Sequence, residues 1–247
     1  VGGGVIGVIP ARWNSVRFPG KPLASILGRP MLQHVYERAS SCRLITELLI
    51  ATDDDRVAEA AKGFGAKVVM TSTEHPTGTD RVAEAISKVA GSVVVNIQGD
   101  EPLLRPESID KLVSEMTSNP AVGMATLACK IADPTELESD SCAKVVLDMN
   151  DEAIYFSRSK IPYVIGSHPF EFYKHIGVYG YRRDVLDRLA ASPPSPLEIA
   201  EGLEQLRALE QGVRIRVVKV SEWGPAVDTP EDIERVEQVL REEKSRA

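Results

Sequence analysis

Residues Val5–Lys21, VIGVIPARWNSVRFPGK, decide the fold. Val5–Pro10 is a short apolar run rich in β-branched residues that stops at a proline, the pattern of a buried strand. The polar segment behind it carries the small residues Ala11, Asn14, Ser15 and Gly20, and three cations, Arg12, Arg17 and Lys21. Small residues let the backbone approach a ligand, and free N–H groups beside fixed cations suit an anion such as a triphosphate. Taken alone, such a segment is more often a solvated basic turn. Its place at the carboxyl end of a first strand favours the ligand, because open α/β sheets bind there.

Outward from that stretch, strand and helix patterns alternate to about Ser118. A helix is expected over Met31–Cys42 and a strand over Glu47–Thr52, followed by a helix capped by Asp53 or Asp54 and running to about Gly63. Lys67–Thr71 reads as a strand, Thr79–Val89 as a helix, Ser92–Gln98 as a strand and Pro106–Thr117 as a helix opened by its proline. Continuous apolar strands between helices imply a mainly parallel, doubly wound sheet. From Val122 the texture changes: Val122–Lys130, Ala143–Asp148, Ala153–Phe156 and Lys174–Tyr181 read as strands with few helices between them, an inserted antiparallel portion. A helix at Arg183–Ala191, a Pro/Ser turn at Ser192–Pro196, a helix at Leu197–Gln211, a strand at Arg214–Val220 and a charged helix at Pro230–Lys244 complete the expected order.

Composition narrows the class. A chain of 247 residues suits one α/β domain with an elaboration. The net charge of −7 argues against a phosphate-backbone binder. No apolar stretch approaches a membrane span and no signal peptide is expected, so a cytoplasmic chain with no membrane partner is expected. Cys42, Cys129 and Cys142 lack metal-ligand spacing and read as free thiols in a reducing compartment. Gly2, Gly4 and Gly7 match a dinucleotide fingerprint only formally, because they precede and enter the first strand instead of following it. A P-loop is excluded because Pro22 follows Gly20-Lys21.

Several further groups carry candidate chemistry. Asp100, in Asn96–Pro102 (NIQGDEP), lies just past an apolar strand beside a glycine, where it can be a turn residue or a Mg²⁺ ligand. Asp228, in VDTPED, can cap the last helix or bind metal. In EHPTGTDR, Glu74–Arg81, the backbone entering a helix at Gly78 and Thr79 can receive a phosphate or ribose hydroxyl, with Asp80 and Arg81 as fixed polar groups. Arg158 closes a strand and can pair a carboxylate in fork geometry. His175 and Tyr179 alternate onto one face of their strand. Glu204 and Gln205 point away from the apolar face of Leu203, Leu206 and Leu209.

The string IPAR–x–x–S–x–RFPGKPL at Ile9–Leu23, followed in order by TGTDR, QGDEP, EGLEQLR and VDTPED, resembles the 3-deoxy-manno-octulosonate cytidylyltransferase (CMP-Kdo synthetase) family. Two positions depart from its pattern: Thr77 stands where serine is usual and Val16 where threonine is common. The resemblance implies a three-layer, Rossmann-like α/β nucleotidyltransferase of the GT-A-like kind, forming one domain. Residues 1–120 would be its CTP half, 121–220 its sugar-binding and dimerisation portion, and 221–247 the metal-ligand loop and final helix. It implies transfer of CMP from CTP to the anomeric hydroxyl of Kdo for lipopolysaccharide synthesis, with Mg²⁺ on Asp100 and Asp228 and a homodimeric enzyme. Arg12 and Lys21 would join those two aspartates in catalysis. Ala11, Arg12, Ser15, Arg17, Lys21, Ser72, Gly78, Thr79, Asp80, Arg81 and Gln98 would hold the nucleotide. Gln98, Arg158, His175, Tyr179, Glu204 and Gln205 would hold the sugar. The alternatives are a cytidylyltransferase for a related ketoacid sugar, 8-amino or sialic-acid-like, and a catalytically silent nucleotide-sugar binder.

Overall fold

The structure, a computed structural model, describes residues 3–14, 18–75, 77–166 and 168–246. In chain order the elements are β1 (Val5–Pro10), a single 3-10 turn (Lys21–Leu23), β2 (Ser25–Ile26), β3 (Arg29–Pro30), α1 (Met31–Ser40), β4 (Glu47–Thr52), α2 (Asp55–Gly63), β5 (Lys67–Met70), α3 (Gly78–Ala85), β6 (Val93–Asn96) and α4 (Pro106–Ser118). There follow β7 (Met124–Lys130), α5 (Pro134–Glu138), β8 (Lys144–Leu147), β9 (Ala153–Ser157), β10 (Tyr173–Arg182), α6 (Arg183–Ala190), α7 (Pro196–Glu201), α8 (Gln205–Glu210), β11 (Ile215–Val220) and α9 (Asp232–Arg246). The chain divides into two units, Val1–Asp110 with Trp223–Ala247, and Lys111–Glu222. The division falls inside α4. Among the described residues no helix is long and apolar enough to cross a membrane.

The first unit is built on parallel pairings in the order β6-β1-β4-β5. The apolar runs of β1 and β6 are buried almost throughout, as strands covered on both faces must be. The chain moves outward from β1 through β4 to β5, then returns to β6 on the other side of β1. The order therefore reverses between β1 and β6, and the carboxyl ends of these two strands open the crevice where α/β sheets bind ligands. Gly99, just past β6, passes so close to β1 that a Cβ there would lie 3.0 Å from the Pro10 carbonyl oxygen. A second apolar cluster closes the unit: Ile26, Met31 and Leu103 pack with Val227 and with Val236 and Leu240 of α9. Each such side chain contributes about 1.5–3 kcal/mol when fully buried, so the returning C-terminal segment is firmly anchored.

The second unit holds the antiparallel portion. β7 pairs parallel with β11 and antiparallel with β10; β8 pairs antiparallel with both β10 and β9. The α/β class and the mainly parallel sheet with antiparallel strands are thus as the sequence implies. Several boundaries differ for physical reasons. The helix expected over Leu197–Gln211 is two short helices, because Gly202 ends α7 in the left-handed conformation at φ 64°. The helix expected over Thr79–Val89 begins at Gly78 and stops at Ala85. The last helix starts at Asp232, not at Pro230, because the Asp232 carboxylate folds back to accept from the Asp228 and Thr229 backbone N–H groups at 2.9 and 2.8 Å. The β2–β3 hairpin and α5 are too short to carry a periodic signal.

Candidate active site

The first loop is pinned at its base. Gly20 N donates to the Trp13 carbonyl at 3.0 Å, and Gly20 adopts φ 73° with the Trp13 ring 3.0 Å from where a Cβ would sit. The Arg56 guanidinium lies over that ring, 3.6 Å from its centroid, and Asp54 holds it through Oδ1 and Oδ2 at 2.9 and 2.6 Å. Arg12 and Lys21, the immediate neighbours of Trp13 and Gly20, are therefore set by one packed contact. Arg12 is exposed and Ala11 is buried, its N–H bonded to Ala51 at 2.8 Å. Ser15 and Arg17 lie outside the described residues, as does Val16.

Lys21 is the centre of the site. Its Nζ lies 2.6 Å from Asp100 Oδ2 and 3.8 Å from Asp228 Oδ1, and it donates to the Val227 carbonyl at 3.0 Å. Val227 N donates to the Asp100 carbonyl at 3.0 Å, which splices the loop after β6 to the segment before α9. Two carboxylates are thus held within reach of one cation at the carboxyl end of the sheet. Among the described residues no cluster of three or more His, Cys, Asp or Glu side chains forms a metal cage. A pair of carboxylates with open surroundings is the donor set that Mg²⁺ uses when substrate phosphates and water complete its shell, so Asp100 and Asp228 fit that ion. Next to them, Glu101 accepts from the Trp223 indole at 2.8 Å, and Gln98 donates to Asn96 at 3.3 Å.

The TGTDR segment is more structural than its sequence implies. Thr77 and Asp80 form a reciprocal capping box at the start of α3, the Thr77 hydroxyl lying 2.6 Å from the Asp80 carboxylate. Gly78 and the buried Thr79 follow on the first turn of that helix. Arg81, read from the sequence as a fixed cation for the nucleotide, is buried with its guanidinium 2.7 Å from Asp53 and bonded to the Thr71 hydroxyl. It braces the ends of β4 and β5. Ser72 is exposed; its N–H donates to Glu84 at 2.8 Å and its carbonyl receives Arg81 at 3.4 Å.

In the second unit, His175, Tyr179 and Gln205 come together. The Tyr179 hydroxyl donates to Gln205 Oε1 at 3.0 Å, and the Gln205 amide meets His175 Nδ1 at 3.5 Å. His175 Nε2 lies 3.0 Å from the Thr126 hydroxyl, which reaches the Ile176 and Val178 carbonyls at 3.1 and 2.9 Å. These partners are all satisfied by one arrangement, a neutral imidazole with its proton on Nε2. The register of β10 against β7 breaks between Ile176 and Tyr179, and Thr126 fills that bulge. The His175 ring, enclosed by Phe156 and Tyr179, has its pKa pushed down to about 3 by burial. Burial likewise drives the Tyr179 phenol well above its ordinary value. Glu204 is exposed at the start of α8. Arg158 is held by carbonyls: its Nε, Nη1 and Nη2 donate to those of Glu201, Asp140 and Gly202 at 2.9, 2.8 and 3.4 Å. Thr126 escaped the sequence reading, although it is the one hydroxyl in the apolar strand Met124–Lys130.

Comparison with known proteins points to cytidylyltransferases. A family model described as cytidylyltransferase matches residues 6–215. The chain is 48% identical to a Geobacter sulfurreducens protein named 3-deoxy-manno-octulosonate cytidylyltransferase, over 96% of this chain and 99% of that one. It is also 48% identical to a Shewanella baltica protein named 8-amino-3,8-dideoxy-manno-octulosonate cytidylyltransferase, over 94% and 97% of the two chains. The solved structure of CMP:2-keto-3-deoxy-manno-octonic acid synthetase complexed with CTP superposes with a TM-score of 0.93 at 44% identity, covering 97% of this chain and 99% of that one.

The neutral His175 predicts a pH dependence. Below pH 6.5 the unfolded chain takes up a proton that the folded imidazole refuses until about pH 3, so its contribution to stability is complete above that window and is lost as pH falls through it. Urea denaturation between pH 8 and 5 is expected to show stability falling by about 1 kcal/mol per pH unit below 6.5. His175→Gln should reduce that slope while leaving the contribution of His34, whose pKa burial also lowers; an unchanged slope in that variant would refute the assignment.

Proposed function

The chain belongs to the 3-deoxy-manno-octulosonate cytidylyltransferase family, and from that premise we propose that it transfers CMP from CTP to the anomeric C2 hydroxyl of Kdo. The hydroxyl oxygen forms a bond to the α-phosphorus, the bond from that phosphorus to the bridging oxygen breaks, and pyrophosphate leaves. The hydroxyl proton passes to solvent. The observation that carries this reading is Lys21 held between Asp100 and Asp228 at the β1/β6 switch point.

Phosphoryl transfer asks little covalent work of a protein, so positioning and charge neutralisation dominate. Arg12, exposed beside the pinned loop base, and Lys21 are assigned to the phosphates. Ala11, Ser15, Arg17, Ser72, Gly78, Thr79, Asp80 and Gln98 are assigned to the rest of the nucleotide. Arg81 supports them through Asp53, from inside the fold. Asp100 and Asp228 are assigned as the protein ligands of Mg²⁺, which when bound polarises the α-phosphate and lowers the pKa of the attacking hydroxyl. For the sugar we assign Gln98, Arg158, His175, Tyr179, Glu204 and Gln205. The neutral imidazole and phenol of the second unit suit hydroxyl recognition by hydrogen bonds.

A second acceptor has equal support in one respect, since the relative named for the 8-amino sugar matches this chain at the same identity as the one named for Kdo. We further propose a cytoplasmic homodimer serving lipopolysaccharide synthesis. Free thiols at Cys42, Cys129 and Cys142 suit a reducing compartment. The exposed side chains of Tyr163, Ile165 and Phe170 offer an apolar face of the second unit for a second copy.

Three measurements test these statements. Pyrophosphate release is expected to require CTP, Mg²⁺ and Kdo together, to stop with EDTA and to be absent with N-acetylneuraminate. Faster release with the 8-amino sugar would reassign the acceptor, and CTP binding without release would favour the silent binder. Asp100→Asn should lower kcat by about 10²-fold or more while weakening CTP binding far less; near-normal turnover would remove Asp100 from catalysis. Sedimentation velocity should give a dimer that Tyr163→Ser with Ile165→Ser converts to monomer, and a monomeric wild type would end the dimer assignment.

A further inference from the structure

We propose that Glu201 is a positioning residue for the acceptor sugar, the group that locks the end of β9 to the turn between α7 and α8. The inference rests on the reading above that Arg158, Glu204 and Gln205 serve the sugar. Glu201 opens the EGLEQLR segment, but its residue type alone suggests no positioning role, since a glutamate on a charged helix ordinarily faces water.

Its surroundings are not those of a solvated side chain. The carboxylate accepts from the Ser157 hydroxyl at 2.7 Å, from the Arg158 backbone N–H at 3.0 Å and from the Tyr155 hydroxyl at 3.5 Å. In return the Arg158 guanidinium donates to the Glu201 carbonyl at 2.9 Å and to the Gly202 carbonyl at 3.4 Å. The two residues grip each other in both directions, backbone to side chain and side chain to backbone. A cation over the last carbonyls of a helix is also where the helix dipole favours it. Burial opposes ionisation of Glu201, but the hydrogen bonds from Ser157 and Arg158 outweigh it and hold the pKa below the usual carboxylate range.

Lys144 completes the grip from behind. Its side chain is fully buried, and its Nζ donates to the Arg158 carbonyl at 2.5 Å and to the Ser139 and Cys142 carbonyls at 2.8 Å each. The backbone of Arg158 is thus fixed on both its N–H and its carbonyl. Three of its side-chain N–H groups are committed to carbonyls, and the remainder of the fork is left for an anionic ligand. Glu204 and Gln205 follow directly after the Gly202 turn that the same contacts hold. Loss of Glu201 would release both sides of the sugar cluster at once, the strand end with Arg158 and the turn with Glu204 and Gln205.

The test is steady-state kinetics on Glu201→Gln, which keeps the volume but turns an amide N–H towards a donor. KM for Kdo should rise about ten- to hundredfold, as loss of charge-assisted hydrogen bonds implies, with KM for CTP within about twofold of wild type. Because Glu201 acts through Arg158, the double variant Glu201→Gln/Arg158→Ala should be little worse than Arg158→Ala alone. Should Glu201→Gln fail to fold, Ser157→Ala, which removes one donor only, is expected to shift KM for Kdo in the same direction by a smaller factor. An unchanged KM for Kdo in Glu201→Gln, or in Ser157→Ala where that stands in, overturns the proposal if Arg158→Ala still raises it; so does full additivity in the double variant. If Arg158→Ala and Gln205→Ala both leave KM for Kdo unchanged, the sugar reading itself has failed and the proposal falls with it.

Discussion

One ammonium group makes the first unit's chemistry compatible with its fold. Asp100 and Asp228 are like charges, and their mutual repulsion would drive the two segments apart. Lys21 sits between them and also binds the Val227 carbonyl. Three stretches far apart in sequence meet there: the turn after the first loop, the end of the fourth parallel strand and the approach to α9. The packing of Val227 and Leu103 with Ile26, Met31, Val236 and Leu240 provides a dry floor beneath them. A charged site on an apolar floor loses little to side-chain motion, which is what a reaction governed by positioning requires.

The second unit handles polarity in the opposite way. His175 and Tyr179 are kept neutral by burial and joined through Gln205 and Thr126. A neutral chain of donors and acceptors can be buried cheaply when every member is satisfied, whereas an unpaired charge cannot. Where charge is admitted, it is heavily bonded: Arg207 is bidentate to Glu198 at 2.7 and 2.6 Å, and Lys144 has three carbonyls.

Local signals in the sequence were sufficient where local physics decides the outcome. The apolar runs of β1 and β6 and the alternation that puts His175 and Tyr179 on one face are short-range and appear in the structure as read, and of the two cap candidates Asp53 and Asp54 the structure uses Asp54. The split between α7 and α8 was not legible, because leucine periodicity continues through Gly202 and only its backbone conformation ends the helix. Arg81 looked like a ligand cation because its partner, Asp53, lies on another strand end. The same limit hid Glu201 and Lys144, whose roles consist entirely of contacts with residues distant in sequence. Nothing in a helical glutamate or a strand lysine announces them.

The first unit is assembled from both ends of the sequence, and this has a consequence for biogenesis. During synthesis its strands and the Lys21–Asp100 pair emerge early, yet Val227, Val236 and Leu240 are made only after the entire second unit has been translated. Until then Ile26, Met31 and Leu103 lack half of their apolar cover. The nascent chain therefore carries an open, sticky seam while the second unit is being made, and a polypeptide released before Val227 exposes that seam to chaperones and proteases. Asp228 lies one residue beyond this seam, so the segment that closes the fold also brings the second carboxylate. A prematurely terminated chain would expose the seam and lack this carboxylate together.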